Sequence, residues 1–329
     1  MSKIRFHIFF TFFIILLLFT ACSTKFEIIN WKELSNFQGR VWSIAFSPTG
    51  RFFAVSSADK TLTVYDSKFS VLWQTNDYIN EVSSIKFSPD EKFLAIPKYK
   101  SETDIGLVDL KNFKVYHVLS GHTDWVTCVD FSPDGELVAS GSDDATIRIW
   151  KKIGQSYIFH QQLSNDGCGI SNIQFTRDSN KIAVCGKNIV RIFIKNYDQF
   201  TLYQTIKLDA RFVNGLSFSH DGKNLVLGTY QGKILVYTSN TKQYIFNKSL
   251  TGHKKMAHSI DFSPDGCYMA TASWDGIIHF WKYHKSDFIF EHELKGHKMQ
   301  IYDIDFHPKG EYIASGSEDK TVLIWKLKD

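Results

Sequence analysis

The sequence predicts an all-β fold made of seven copies of one four-stranded unit. Three observations predict it. A phenylalanine recurs at Phe46, Phe87, Phe131, Phe175, Phe218, Phe262 and Phe306, at intervals of 41, 44, 44, 43, 44 and 44 residues. Each opens a similar phrase, which in its clearest copies reads Phe-Ser-Pro-Asp-Gly (Phe131 to Gly135 and Phe262 to Gly266). Strand-like runs separated by turn residues fill the rest of each interval. A fixed period of this size marks a repeat architecture, in which each unit buries its apolar surface against its neighbours.

The elements of one repeat follow in order. A first strand carries apolar residues five and two positions before the phenylalanine: Val41/Ile44, Val82/Ile85, Val126/Val129, Ile170/Ile173, Val213/Leu216, Ala257/Ile260 and Ile301/Ile304. A spacing of three cannot hold one face of a period-2 strand, so a β-bulge is expected between them. The phrase itself is a turn: proline fixes φ and glycine tolerates a left-handed exit. Five of the six prolines (Pro48, Pro89, Pro133, Pro264 and Pro308) stand there. A second strand follows, for example Leu137 to Ser140, and then a tight turn, Gly141 to Ala145. The third strand ends on Tyr65, Val108, Trp150, Phe193, Tyr237, Trp281 or Trp325. A fourth strand leads to Gly121-His122, Gly252-His253 and Gly296-His297 in three copies.

These residues resemble the WD40-repeat family over about residues 26–329. Copies three, six and seven match closely; the other four are degenerate and are carried by their spacing. Lys151, Lys282 and Lys326 follow tryptophan where the family has aspartate. The resemblance implies a seven-bladed β-propeller with four strands per blade. The seventh copy stops after its third strand, and an unassigned strand-like run, Phe26 to Asn36, precedes the first. In the family such an N-terminal strand completes the last blade, which removes open edges.

Ser140, His122, Asp144 and Trp150 recur as Thr271, His253, Asp275 and Trp281, and again as Ser315, His297, Asp319 and Trp325. Ser, His and Asp together suggest a hydrolytic triad. A triad is needed once, at a cleft, whereas this set repeats inside three units and no Gly-x-Ser-x-Gly elbow accompanies it. It resembles the family's internal hydrogen-bond network, in which a buried indole N–H finds an acceptor. No catalytic residue is assigned. Blades one, two, four and five lack the histidine and are expected to rely on apolar packing.

Residues 1–22 differ from the rest. Lys3 and Arg5, an apolar run from Ile8 to Phe19 and small residues before the break form a secretory-signal pattern. The run is shorter than the roughly 20 residues of a spanning helix. Cys22 makes it resemble a bacterial lipoprotein signal, although Phe19 departs from the usual box. The resemblance implies cleavage before Cys22, lipidation of that cysteine and a membrane-anchored lipoprotein in the cell envelope, in the outer membrane of a Gram-negative cell. Simple secretion and an uncleaved N-terminal anchor are the alternatives. The expected division is a signal over 1–21 and one ring over 26–329, with the ring monomeric.

Removing 21 of 329 residues leaves 308, seven times 44, with no room for a second domain. Loss of Lys3 and Arg5 lowers the formal charge from +4 to +2, and no Lys/Arg run gives a nucleic-acid footprint. Neither a metal-ligand spacing nor a phosphate-binding glycine loop occurs, so no metal or cofactor is expected. Cys168 and Cys185 fall near one end of blade four, either bridged or as two unpaired thiols. An insertion over Pro97 to Asp104 reads as a solvated loop.

WD40-like rings bind partners on the face that carries the loops leading into each blade and the turns between second and third strands. Trp125, Phe212, Tyr230, Met256 and Trp274 map there, and aromatics with Met are the composition of a binding hot spot. The leading reading is a non-catalytic protein- or peptide-binding scaffold. A hydrolase-like enzyme would need an acid, His or metal cluster on inner loops, and the sequence identifies none. A glycan or envelope-polymer binder is the third reading, since aromatics also stack on sugars.

Overall fold

The computed structural model describes residues 27–76, 81–98, 101–240, 242–284 and 287–328. The amino-terminal expectation, Cys22 included, lies outside these residues. Twenty-eight strands form seven antiparallel sheets of four, arranged as a seven-bladed β-propeller. The first strand of each blade is innermost. Successive first strands lie side by side, and that of blade seven (Ile301–Phe306) packs on that of blade one (Val41–Phe46).

The expected bulge is present in five blades. Register shifts fall between Val41/Ser43, Val126/Cys128, Val213/Gly215, Ala257/Ser259 and Ile301/Asp303. Both apolar residues of each pair are buried despite their odd spacing. A second bulge, which the sequence reading did not expect, falls where the third strand reaches its large terminal residue, as at Ile149/Trp150 and Phe280/Trp281.

Apolar clusters straddle neighbouring blades. Ala183, Val190 and Ile192 of blade four pack with Val213, Leu216 and Leu227 of blade five. No blade has a private core, so each depends on its neighbours for burial. Closure follows the same logic. Glu27–Leu34 pairs antiparallel with Val322–Lys328, Glu27 opposite Lys328 and Leu34 opposite Val322. It supplies the fourth strand of blade seven.

One alternative is decided and one expectation is corrected. Cys168 and Cys185 are free thiols; Cys185 is buried, with its sulfur 3.6 Å from Ser171 Oγ. The side chain that would have bridged is committed to the contact between blades four and five. The Pro97–Asp104 insertion is not a solvated loop at its start. Pro97 ends a buried strand, and Lys98 is only 8 % exposed because its aliphatic stem is covered while Nζ stands 4.8 Å over the Trp125 ring.

Candidate protein-interaction face

The recurring polar set lies inside the blades. His122 Nδ1 is 2.8 Å from Asp144 and Nε2 2.6 Å from Ser140 Oγ. The corresponding distances are 3.2 and 2.9 Å for His253 with Asp275 and Thr271, and 3.0 and 2.8 Å for His297 with Asp319 and Ser315. Trp281 Nε1 donates to Thr271 Oγ1 at 3.1 Å and Trp325 Nε1 to Ser315 Oγ at 3.0 Å. Trp150 is buried against His122. Burial opposes the Asp144 carboxylate, but bonds from Thr146, the Thr123 N–H and His122 hold its pKa at about 2. Every Ser/Thr hydroxyl of the set is fully buried, so no substrate carbonyl reaches it.

Blades without the histidine differ. Blade one places buried Phe37 at the equivalent position. Blade four, expected to rely on apolar packing, instead buries Arg191, which donates to Asn165 Oδ1 at 3.0 Å and pairs with Asp166. Asn165 and Asp166 satisfy its two terminal nitrogens, while the buried Nε has no hydrogen-bond partner among the described residues.

The loops leading into the blades meet the turns between second and third strands on one face, the upper face. The backbone joins them: Tyr230 N–H donates to the Phe212 carbonyl, Trp274 to Met256 and Asp143 to Trp125, each at 2.9 Å. Tyr230 is 41 % exposed and meets the half-buried Trp274 edge-on, with centroids 6.4 Å apart. Phe212 is also half-buried. The structure thus brings Phe212, Tyr230 and Trp274 together. Trp125 is 47 % exposed but stands apart on blade three, donating from Nε1 to Glu102. Met256 corrects the expectation: it is 3 % exposed and offers nothing to a partner. Its flexible thioether gains by leaving water, and its backbone is pinned by the Trp274 N–H.

Glycine sets the closeness of these loops. Gly232 has φ +82°, and a Cβ there would stand 2.6 Å from the carbonyls of both His253 and Lys255. The turn of blade five therefore lies against the lead-in loop of blade six. Gly276 brings the next turn against the lead-in loop of blade seven in the same way.

Sequence reasoning missed the central channel. Lys86, Asp130, Asp261, Asp303 and Asp305 are carried by four different inner strands. All but Asp130 line the wall of a polar cavity of about 100 Å³. The carboxylates accept from backbone N–H groups of the following blade: Asp130 from Phe175 at 2.8 Å, Asp261 from Phe306 at 2.8 Å and Asp305 from Phe46 at 2.6 Å. Burial pushes Asp130 up to about 6 and raises Asp261, Asp303 and Asp305 as well. Burial opposes the Lys86 ammonium, but Asp130 foremost, with Asp305, Asp303 and Asp261, pushes it up to about 12. The acids clasp blade to blade, and one cation offsets them.

The family described as WD domain, G-beta repeat matches residues 31–66, 113–151, 245–282 and 289–326. These are copies three, six and seven together with copy one. An uncharacterised WD repeat-containing protein of Synechocystis sp. is 30 % identical over 163 residues, 49 % of this chain and 45 % of the relative. The Set1 complex component swd2 of Schizosaccharomyces pombe is 25 % identical over 233 residues, 64 % of this chain and 61 % of the relative. The small ribosomal subunit protein RACK1y of Oryza sativa is 27 % identical over 161 residues, 47 % of each. The chain spans less than two thirds of each of these relatives.

Proposed function

We propose that this chain, a seven-bladed β-propeller carrying WD40 repeats, is a protein-binding scaffold that works through its upper face and is held at a membrane by a lipid on Cys22. The observation that carries the binding reading is the continuous patch of Phe212, Tyr230 and Trp274, seated on loops locked by backbone bonds and by Gly232. Rigid aromatics give large contact area at little entropic cost. Two relatives with printed roles are named as a component of a complex and a ribosomal subunit protein, in keeping with an assembly role. The tether rests on the residues around Cys22 alone.

Affinity capture of the tagged protein from its native membranes tests both parts. Phe212→Ala with Trp274→Ala is expected to lose the captured partner, and unchanged capture would sink the site. Mass spectrometry of the N-terminal peptide is expected to find a diacylglyceryl group on Cys22; an unmodified peptide that retains Met1 would remove the tether. A glycan array run in parallel separates this reading from sugar binding.

A further inference from the structure

We propose that the arc of the upper face over blades five and six binds an acidic peptide segment that carries an apolar side chain. The proposal rests on the protein-binding reading above and adds the chemistry of the partner. Arg211, Lys233, Lys254 and Lys255 are all exposed. The close approach at Gly232 places the Lys233 turn against the Lys254–Lys255 loop, so cations from two blades share one patch. Arg211 lies 5.4 Å over the Tyr230 ring, which ties the basic residues to the aromatic ones. Partner carboxylates meet Lys233, Lys254 and Lys255, and an apolar side chain packs on Tyr230 and Trp274.

The opposite side of the same face has the other sign. Glu81, Glu102, Asp124 and Asp143 stand on blades two and three. Burial first, and then the neighbouring Asp124, pushes Asp143 up, while Lys98 opposes them. An extended polyanion such as nucleic acid would run from the basic arc onto these carboxylates. A short acidic segment does not, and the gradient also fixes its direction.

Fluorescence anisotropy on the purified full-length protein in detergent tests this with two probe peptides. One alternates Glu and Asp around a central Phe and Leu, and the other has Lys in place of every acid. The acidic peptide is expected to bind about tenfold or more tighter, and to weaken as salt is raised. Lys254→Glu with Lys255→Glu is expected to lose about tenfold, and Arg211→Glu, on a separate loop, to weaken binding too. Asp124→Lys leaves binding intact. Equal binding of the Lys peptide, unchanged affinity in the reversal variants, or stronger competition by a single-stranded oligonucleotide of equal charge would each overturn the proposal. If Trp274→Ala abolishes capture of the native partner while the lysine reversals do not, the site stands and the charge assignment falls. If neither changes capture, both readings fall.

Discussion

At the scale of single residues, buried polar atoms decide what this ring tolerates. Thr271 Oγ1 serves both His253 and Trp281. Thr271→Val keeps the volume, strands the buried Trp281 N–H and takes the hydroxyl from His253, so urea unfolding is expected to show a loss of about 2 kcal/mol. The channel acids behave in the opposite sense. Burial raises Asp261 to about 6, above the unfolded value of about 3.9. Its contribution to stability is therefore complete below pH 4 and lost as pH rises through 6. Asp261→Asn is expected to raise the Tm at pH 7.5, by an amount on the order of 2 °C, and to give no gain at pH 4. A gain that persists at pH 4 would contradict the assignment. The network was legible because three copies repeat it at one spacing. The channel was not, because the residue before each phenylalanine varies, from Ala45 and Lys86 to Asp130, Gln174, Ser217, Asp261 and Asp305. Only closure of the ring turns those seven positions toward one another. Met256 was misplaced for a related reason: a period identifies the position, and local packing decides whether the side chain turns out or in.

At the scale of elements, the strand Glu27–Leu34 and blade four carry the clearest expectations. Deleting residues 27–34 leaves Val322–Lys328 as an open edge. The truncated ring is expected to melt at lower temperature and to self-associate in sedimentation, since unpaired edges recruit other chains. Arg191→Ala removes the buried partner of Asn165, and an expected loss of about 2–3 kcal/mol in urea unfolding checks whether the guanidinium supports blade four. Most of this level was readable in the sequence. The inner bulge follows from an apolar spacing of three, and the closing strand from a seventh copy with one strand too few. The outer bulge was not readable, because the fourth strand pairs a large residue whose bulk matters only once the third strand lies beside it, as Trp150 does beside Phe159.

At the scale of the whole molecule, the ring has an upper face with two charge poles and a lower side where Glu27, the first described residue, lies. Leu34 pairs at the upper end of blade seven, and Glu27 at the lower end, opposite Lys328. The lipid proposed on Cys22 would hold the lower edge near the bilayer, since five residues span at most about 17 Å. With that tether the binding face points away from the membrane. Lys254→Cys is expected to react with a bulky maleimide in intact membranes faster than a cysteine introduced at Asn240 on the lower side. Equal rates would argue against this orientation. Closure has a further consequence, for synthesis. Among the described strands, Glu27–Leu34 is made first and waits for the one made last, Val322–Lys328, to find its partner. Until then blade seven cannot close, and a chain cut short before Val322 leaves Glu27–Leu34 without its partner strand. Closure of the ring is thereby recorded in a single pairing, which a protease can read as the difference between a closed ring and an open one.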